Sequence, residues 1–158
     1  MSVTIIVDAS GLDVAVEAIG RYADLDENEL LSIIGDIGES QTRRRIESEK
    51  TAPDGSAWPP NQAGTSILLQ TGSNLRDSVA YNVGAGEVQW GASWEHAHIH
   101  QFGATIKPKS ADRLVFMVGG KKRFAKQVTI PARPFVGLSA DNAQEITDIV
   151  TDFLGALQ

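Results

Sequence analysis

The chain contains no cysteine. Disulfide staples, thiolate catalysis and a thiolate zinc site are thereby excluded. The absence fits a reducing cytoplasm. No apolar run approaches the roughly 18 residues of a membrane-spanning helix, so no membrane partner is expected. The opening run from Met1 to Val7 lacks both a basic segment and a small-residue cleavage site, and reads as a first strand rather than a secretion signal. Excess positive charge is missing too. A net charge of −6 and a pI near 5.0 argue against broad, sequence-independent binding to nucleic acid. There is no Gly-x-Ser-x-Gly elbow and no Gly-Lys-Ser/Thr phosphate loop.

What is present is the composition of one globular unit. The 158 residues are 42% hydrophobic and 22% charged, with no repeat, low-complexity tract or dividing linker. A single domain over 1–158 is expected. After the strand at 3–7, Leu12, Ala15, Val16, Ile19, Tyr22 and Ala23 recur at three and four, which predicts a helix. Asp26 with Glu29 resembles a capping box and opens a second helix with Leu30, Ile33, Ile34 and Ile37 on one face. Its later half, Glu39 to Lys50, is almost wholly polar, and is expected to project from the core or lie against a partner. The segment 51–65 is read as a protruding loop, because Pro53-Asp54-Gly55 is turn chemistry and Pro59-Pro60 continues neither helix nor central strand. Trp58 within it has two readings of equal weight: docking on a partner, or folding back on its own core.

Short strands are predicted at 67–69, 78–83 and 87–90, the last two joined through Gly84-Ala85-Gly86. Leu114–Val118 and Arg123–Ile130 flank Gly119-Gly120-Lys121-Lys122, a second hairpin signal. A last helix, capped by Ser139 or Asp141, carries Ile146, Ile149, Val150, Phe153, Leu154 and Leu157 along one seam. This order predicts an α+β fold: an antiparallel sheet with hairpins, packed against N-terminal and C-terminal helices.

The sharpest candidate for chemistry is Glu95-His96-Ala97-His98-Ile99-His100, which holds all three histidines. On a strand His96, His98 and His100 share one face; on a helix only His96 and His100 do. Three imidazoles on one face suit zinc, copper or nickel, so a metal-dependent hydrolase is the alternative reading. The commoner meaning is interface or buried hydrogen-bonding groups. The acidic pairs Asp24/Asp26 and Glu27/Glu29 sit at a helix start, where they satisfy the macrodipole. Arg43-Arg44-Arg45 fans around a helix, and Lys121-Lys122-Arg123 crowns a hairpin. Each is usually a solvated surface, and each suits phosphates or an acidic neighbouring subunit.

Four short patterns stand in one order: Pro53-Asp-Gly-Ser-Ala-Trp58-Pro, then Leu68 to Val79 with Thr71-Gly72 and Leu75-Arg76, then Ala97-His-Ile-His100-Gln101-Phe102-Gly103, then Ile130-Pro131-Ala132-Arg133-Pro134-Phe135. Together they resemble the phage virion morphogenesis, or tail-completion, family. The resemblance covers about 40–158. Where this family carries a tyrosine shortly before His-Gln-Phe-Gly, this chain has Trp94. The resemblance implies a structural virion protein of the neck or tail end, no catalysis and no cofactor. It implies self-assembly into a ring, commonly hexameric, that meets the tail tube or head connector, with at most passive contact with DNA in the lumen. Thr71-Gly72 reads as a turn into a strand, with Arg76 free to pair a neighbour's carboxylate. Ile130–Phe135 reads as an extended edge segment that delivers Arg133 and Phe135 to a subunit contact, or uses Phe135 to seat the last helix. His100, Phe102 and Gly103 are expected to pack inside. The interface residues expected on these grounds are Arg43, Arg44, Trp58, Arg76, Trp94, His100, Lys121, Lys122, Arg133 and Phe135.

Overall fold

The computed structural model describes residues 16–17, 19–21, 25–69 and 74–156. The expected strand at 3–7, much of the first helix (Leu12, Ala15, Tyr22, Ala23), Asp24, Thr71-Gly72 and Leu157 lie outside the described residues.

Helix α1 spans Glu27–Arg44. Asp26 caps it, its carboxylate accepting the Glu29 N–H at 3.1 Å. Glu27 and Glu29 lie in the first turn and Arg43 and Arg44 in the last, each sign matching the helix dipole. The helix passes into a π-helical turn, Arg45–Glu49, and stops at Lys50, whose backbone is left-handed (φ 57°). The Lys50 ammonium donates to the carbonyls of Ile46 and Ile67, tying this corner down.

A short helix α2, Asn74–Asp77, leads into the hairpin of β1 (Val79–Gly84) and β2 (Glu87–Ala92). Ala85 and Gly86 both have positive φ at its tip, the geometry that matches the twist of paired strands. Helix α1 lies across this hairpin at two glycines. A Cβ at Gly35 would stand 2.3 Å from Tyr81 Cδ2, and one at Gly38 would stand 2.6 Å from the Trp90 ring. Alanine at a mid-helix glycine ordinarily adds roughly 1 kcal/mol, but overpacking a filled site costs roughly 1–3 kcal/mol. Gly38→Ala is therefore expected to lower stability, against helix propensity. A lower midpoint in urea, at unchanged slope, checks it.

Helix α3 (Ala97–Phe102) precedes β3 (Ala104–Ile106), which pairs antiparallel with β6 (Val128–Ile130). Between them β4 (Leu114–Val118) and β5 (Lys121–Ala125) form a hairpin closed by Gly119-Gly120. Helix α4, Ala140–Gly155, is capped by Ser139, whose hydroxyl accepts the Asn142 N–H. The result is an α+β fold, with three separate two-stranded antiparallel sheets among the described residues. Ile46, Ala52, Trp58, Leu75, Val79, Ala97 and Phe135 form its buried apolar cluster, gathered from loops as much as from regular elements. The seam of α4 is half-buried throughout.

Three local expectations are corrected. Ile67–Leu69 is a turn, with Leu68 left-handed at φ 60°, which no strand accommodates. The run 123–130 divides at Lys126-Gln127, and its two parts pair in different sheets. The polar half of α1 is the most buried part of the helix: Gln41, Thr42, Arg45 and Ile46 are all inside. Its polar groups find partners there, so burial leaves few of them unsatisfied.

Candidate functional site

Residues of three of the four sequence motifs meet at one place, the segment 130–142 that joins β6 to α4. Arg133 is buried, and donates from Nε to the Pro59 carbonyl at 2.8 Å and from Nη2 to that of Pro60 at 3.1 Å. Trp58, 4% exposed, donates its indole N–H to the Pro134 carbonyl at 2.9 Å. Prolines supply carbonyls without competing N–H groups, so the Trp58-Pro59-Pro60 and Arg133-Pro134 stretches grip each other through side chain to main chain bonds. Trp58 thus turns inward, and the 51–65 loop is anchored along its length; its apices at Asp54–Ser56 and Gly64–Ser66 are exposed.

Helix α3 clamps the same segment from another side. Gln101 Oε1 accepts the N–H groups of Phe135 and Val136 at 3.0 and 3.1 Å, and Gln101 Nε2 donates to the Val136 carbonyl at 3.1 Å. One amide thereby imitates a strand neighbour. The Arg133 N–H donates to the His100 carbonyl at 2.7 Å. Gly103 follows with φ 73° and ψ 163°, a region essentially restricted to glycine, and a Cβ there would lie 2.8 Å from the Ala132 nitrogen. Phe102, expected inside, is 78% exposed, because the turn that gives Gln101 and Gly103 to the segment aims residue 102 outward.

A third hold comes from α1. Arg45 is 1% exposed and reaches the carbonyls of Phe135 and Gly137 at 3.0 and 2.9 Å and Asn142 Oδ1 at 2.5 Å. Gln41 donates to the Asn142 carbonyl and to Glu145. Burial pushes the Arg45 and Arg133 guanidinium pKa values down; main-chain oxygens replace the lost water, and Glu49 at 3.8 Å acts on Arg45 in the opposite direction.

The other expected interface residues have diverse placements. Arg43 donates to the Val79 carbonyl and pairs with Glu39; Arg44 pairs with Glu49 and Glu145; Arg76 pairs with Glu47 and Asp77. These cations are engaged within the chain. Phe135, 2% exposed, lies in the core. Lys121 and Lys122 are exposed at the β4–β5 tip.

Trp94 stacks on His100, ring centroids 5.7 Å apart at 11°, and meets His96 edge-on. His96 and His98 are exposed and His100 is half-buried. Among the described residues no group of three or more His, Asp or Glu side chains is arranged to hold a metal ion. Burial depresses the His100 pKa, with Arg133 and then His96 adding to the effect. Above the ordinary histidine range the ring is neutral in folded and unfolded chain alike. As pH falls through that range the unfolded chain takes up the proton first, so stability declines. His100→Phe retains a ring against Trp94 and is expected to flatten this slope between about pH 7.5 and 5.5, the range over which histidine titrates. Denaturant titrations of both proteins across that interval check it.

Gln41, Arg45, Gln101 and Asn142 are not among the interface residues expected from the sequence. Only α1 offered a signal: Gly38, Gln41, Thr42 and Arg45 recur at three and four, extending the apolar stripe in polar residues. The bonds of Gln101 and Asn142 are long-range in sequence and leave no local pattern.

No curated protein and no solved structure matches the chain. The sequence model of the phage virion morphogenesis family matches residues 7–155. That span contains the three holds on the 130–142 segment and all of the motifs that build them, and the chain belongs to the phage virion morphogenesis family.

Proposed function

We propose that the chain is a non-enzymatic tail-completion or head–tail joining subunit. It assembles with copies of itself into a ring, commonly of six, at the neck or tail end of a bacteriophage particle, against the tail tube or head connector. The observation that carries this reading is how the motif side chains use their polar groups. Trp58, Gln101 and Arg133 bond the main chain of one another's segments. Groups engaged in this way hold a shape, which is the task of a joining subunit. The exposed Lys121-Lys122-Arg123 tip and Phe102 are left for partners.

The test is genetic and structural. Particles made without the gene are expected to accumulate as unjoined or unfinished heads and tails, with joining restored by the gene in trans. Reconstruction of the intact neck should place the chain in a closed ring. Infectious particles with complete necks in its absence would sink the proposal.

A further inference from the structure

The β4–β5 hairpin carries an exposed apolar face. Val115 lies opposite Phe124 and Met117 opposite Lys122, so these four side chains share one side of the ribbon. Val115, Met117 and Phe124 are 55%, 63% and 60% exposed. Among the described residues both strands pair only with each other, and a lone two-stranded ribbon is marginal in water. Lys121, Lys122 and Arg123 are exposed at its end, with no carboxylate paired to them among the described residues.

A complementary surface lies on other elements. Ile33 and Ile37 of α1, Tyr81 of β1 and Ile149 of α4 line an open groove of about 330 Å³. Glu29 and Asp36 also line it, exposed and, among the described residues, without a cationic partner. A cavity of roughly 150 Å³ accepts a benzene ring, so this groove has room for two large side chains. One surface is apolar with a basic edge, the other apolar with an acidic edge, and the two share no residue.

We propose that the β4–β5 hairpin of one copy docks in the α1–β1–α4 groove of the next, with Phe124 and Met117 in the groove and Lys122 against Asp36. This rests on the ring reading above and names the contact that would build the ring. A contact between two different patches is head-to-tail, and repeats until the rotation closes.

The chain's lack of cysteine makes the test direct, because introduced thiols are the only ones. Lys122→Cys and Asp36→Cys are made singly and together in the full chain, then treated with a short thiol-reactive cross-linker. Treatment covers purified protein and particles from cells co-expressing the variants. The two single variants mixed should yield a cross-linked dimer, and the double variant a ladder of multimers. In sedimentation, Lys122→Glu should weaken self-association by about tenfold or more at low salt, and adding Asp36→Lys should restore it. Cross-linking of Lys122→Cys to itself alone would reveal a symmetric hairpin pair and overturn the proposal. Particles that contain the protein but give no cross-link would overturn the docking surface while leaving the joining role intact. Absence of the protein from particles would instead count against that role.

Discussion

Arg45→Met will lower folding stability by on the order of 3–5 kcal/mol, because each buried acceptor left without a donor costs about 1–3 kcal/mol. Three acceptors lose their partner: the carbonyls of Phe135 and Gly137 and the Asn142 side chain. Methionine fills most of the space and removes the cost of burying a guanidinium, which offsets part of the loss. It does not offset all of it, since Phe135 and Asn142 remain buried with their oxygens unpaired. Arg45→Lys should recover only a fraction, because one ammonium lacks the planar fork that spans separated acceptors. Urea titration measures both, and an unchanged slope would show that stability rather than compactness has altered. A loss below about 1 kcal/mol for Arg45→Met would mean that water or a neighbour satisfies those oxygens.

Trp58→Ala carries the second large effect, about 3–5 kcal/mol for deleting a buried indole. Beyond its packing, Trp58 fixes Pro59 and Pro60 where Arg133 can bond them, so its removal also loosens Arg133. Trp58→Phe separates the two contributions: it keeps a ring and forgoes only the bond to Pro134, worth about 1 kcal/mol. Trp58→Ala combined with Arg133→Met should cost less than the sum of the two alone, since both act on one junction. Limited proteolysis provides a local readout, with new cleavage near Asn61–Thr65 in the Trp58→Ala protein. Additive losses would show that the loop and the 130–142 segment are held independently.

These two side chains illustrate what sequence reasoning could and could not reach. Trp58 was visible as a large ring in a proline-rich loop, but a loop tryptophan fits a partner or its own core equally well. Its bond to Pro134 lies 76 residues away and decides the matter. Arg45 is the last of three consecutive arginines, a run whose commoner meaning is solvated surface. Helical geometry turns it toward Phe135 while Arg44 faces solvent.

Local chemistry was legible where it acts over a few residues. The Asp26 and Ser139 caps, the Ala85-Gly86 and Gly119-Gly120 turns, the α+β class and the family all follow from residues a few positions apart, or from the order of short motifs. They do so because capping, turn geometry and periodicity are interactions between near neighbours in the chain. Tertiary structure alone decided that the polar end of α1 is interior, that Gln101 clamps Phe135 and Val136, that 123–130 serves two sheets, and that Phe102 points out. Each of these depends on which distant main-chain group a polar side chain meets. A donor pattern in sequence carries no record of its acceptor when the two are tens of residues apart.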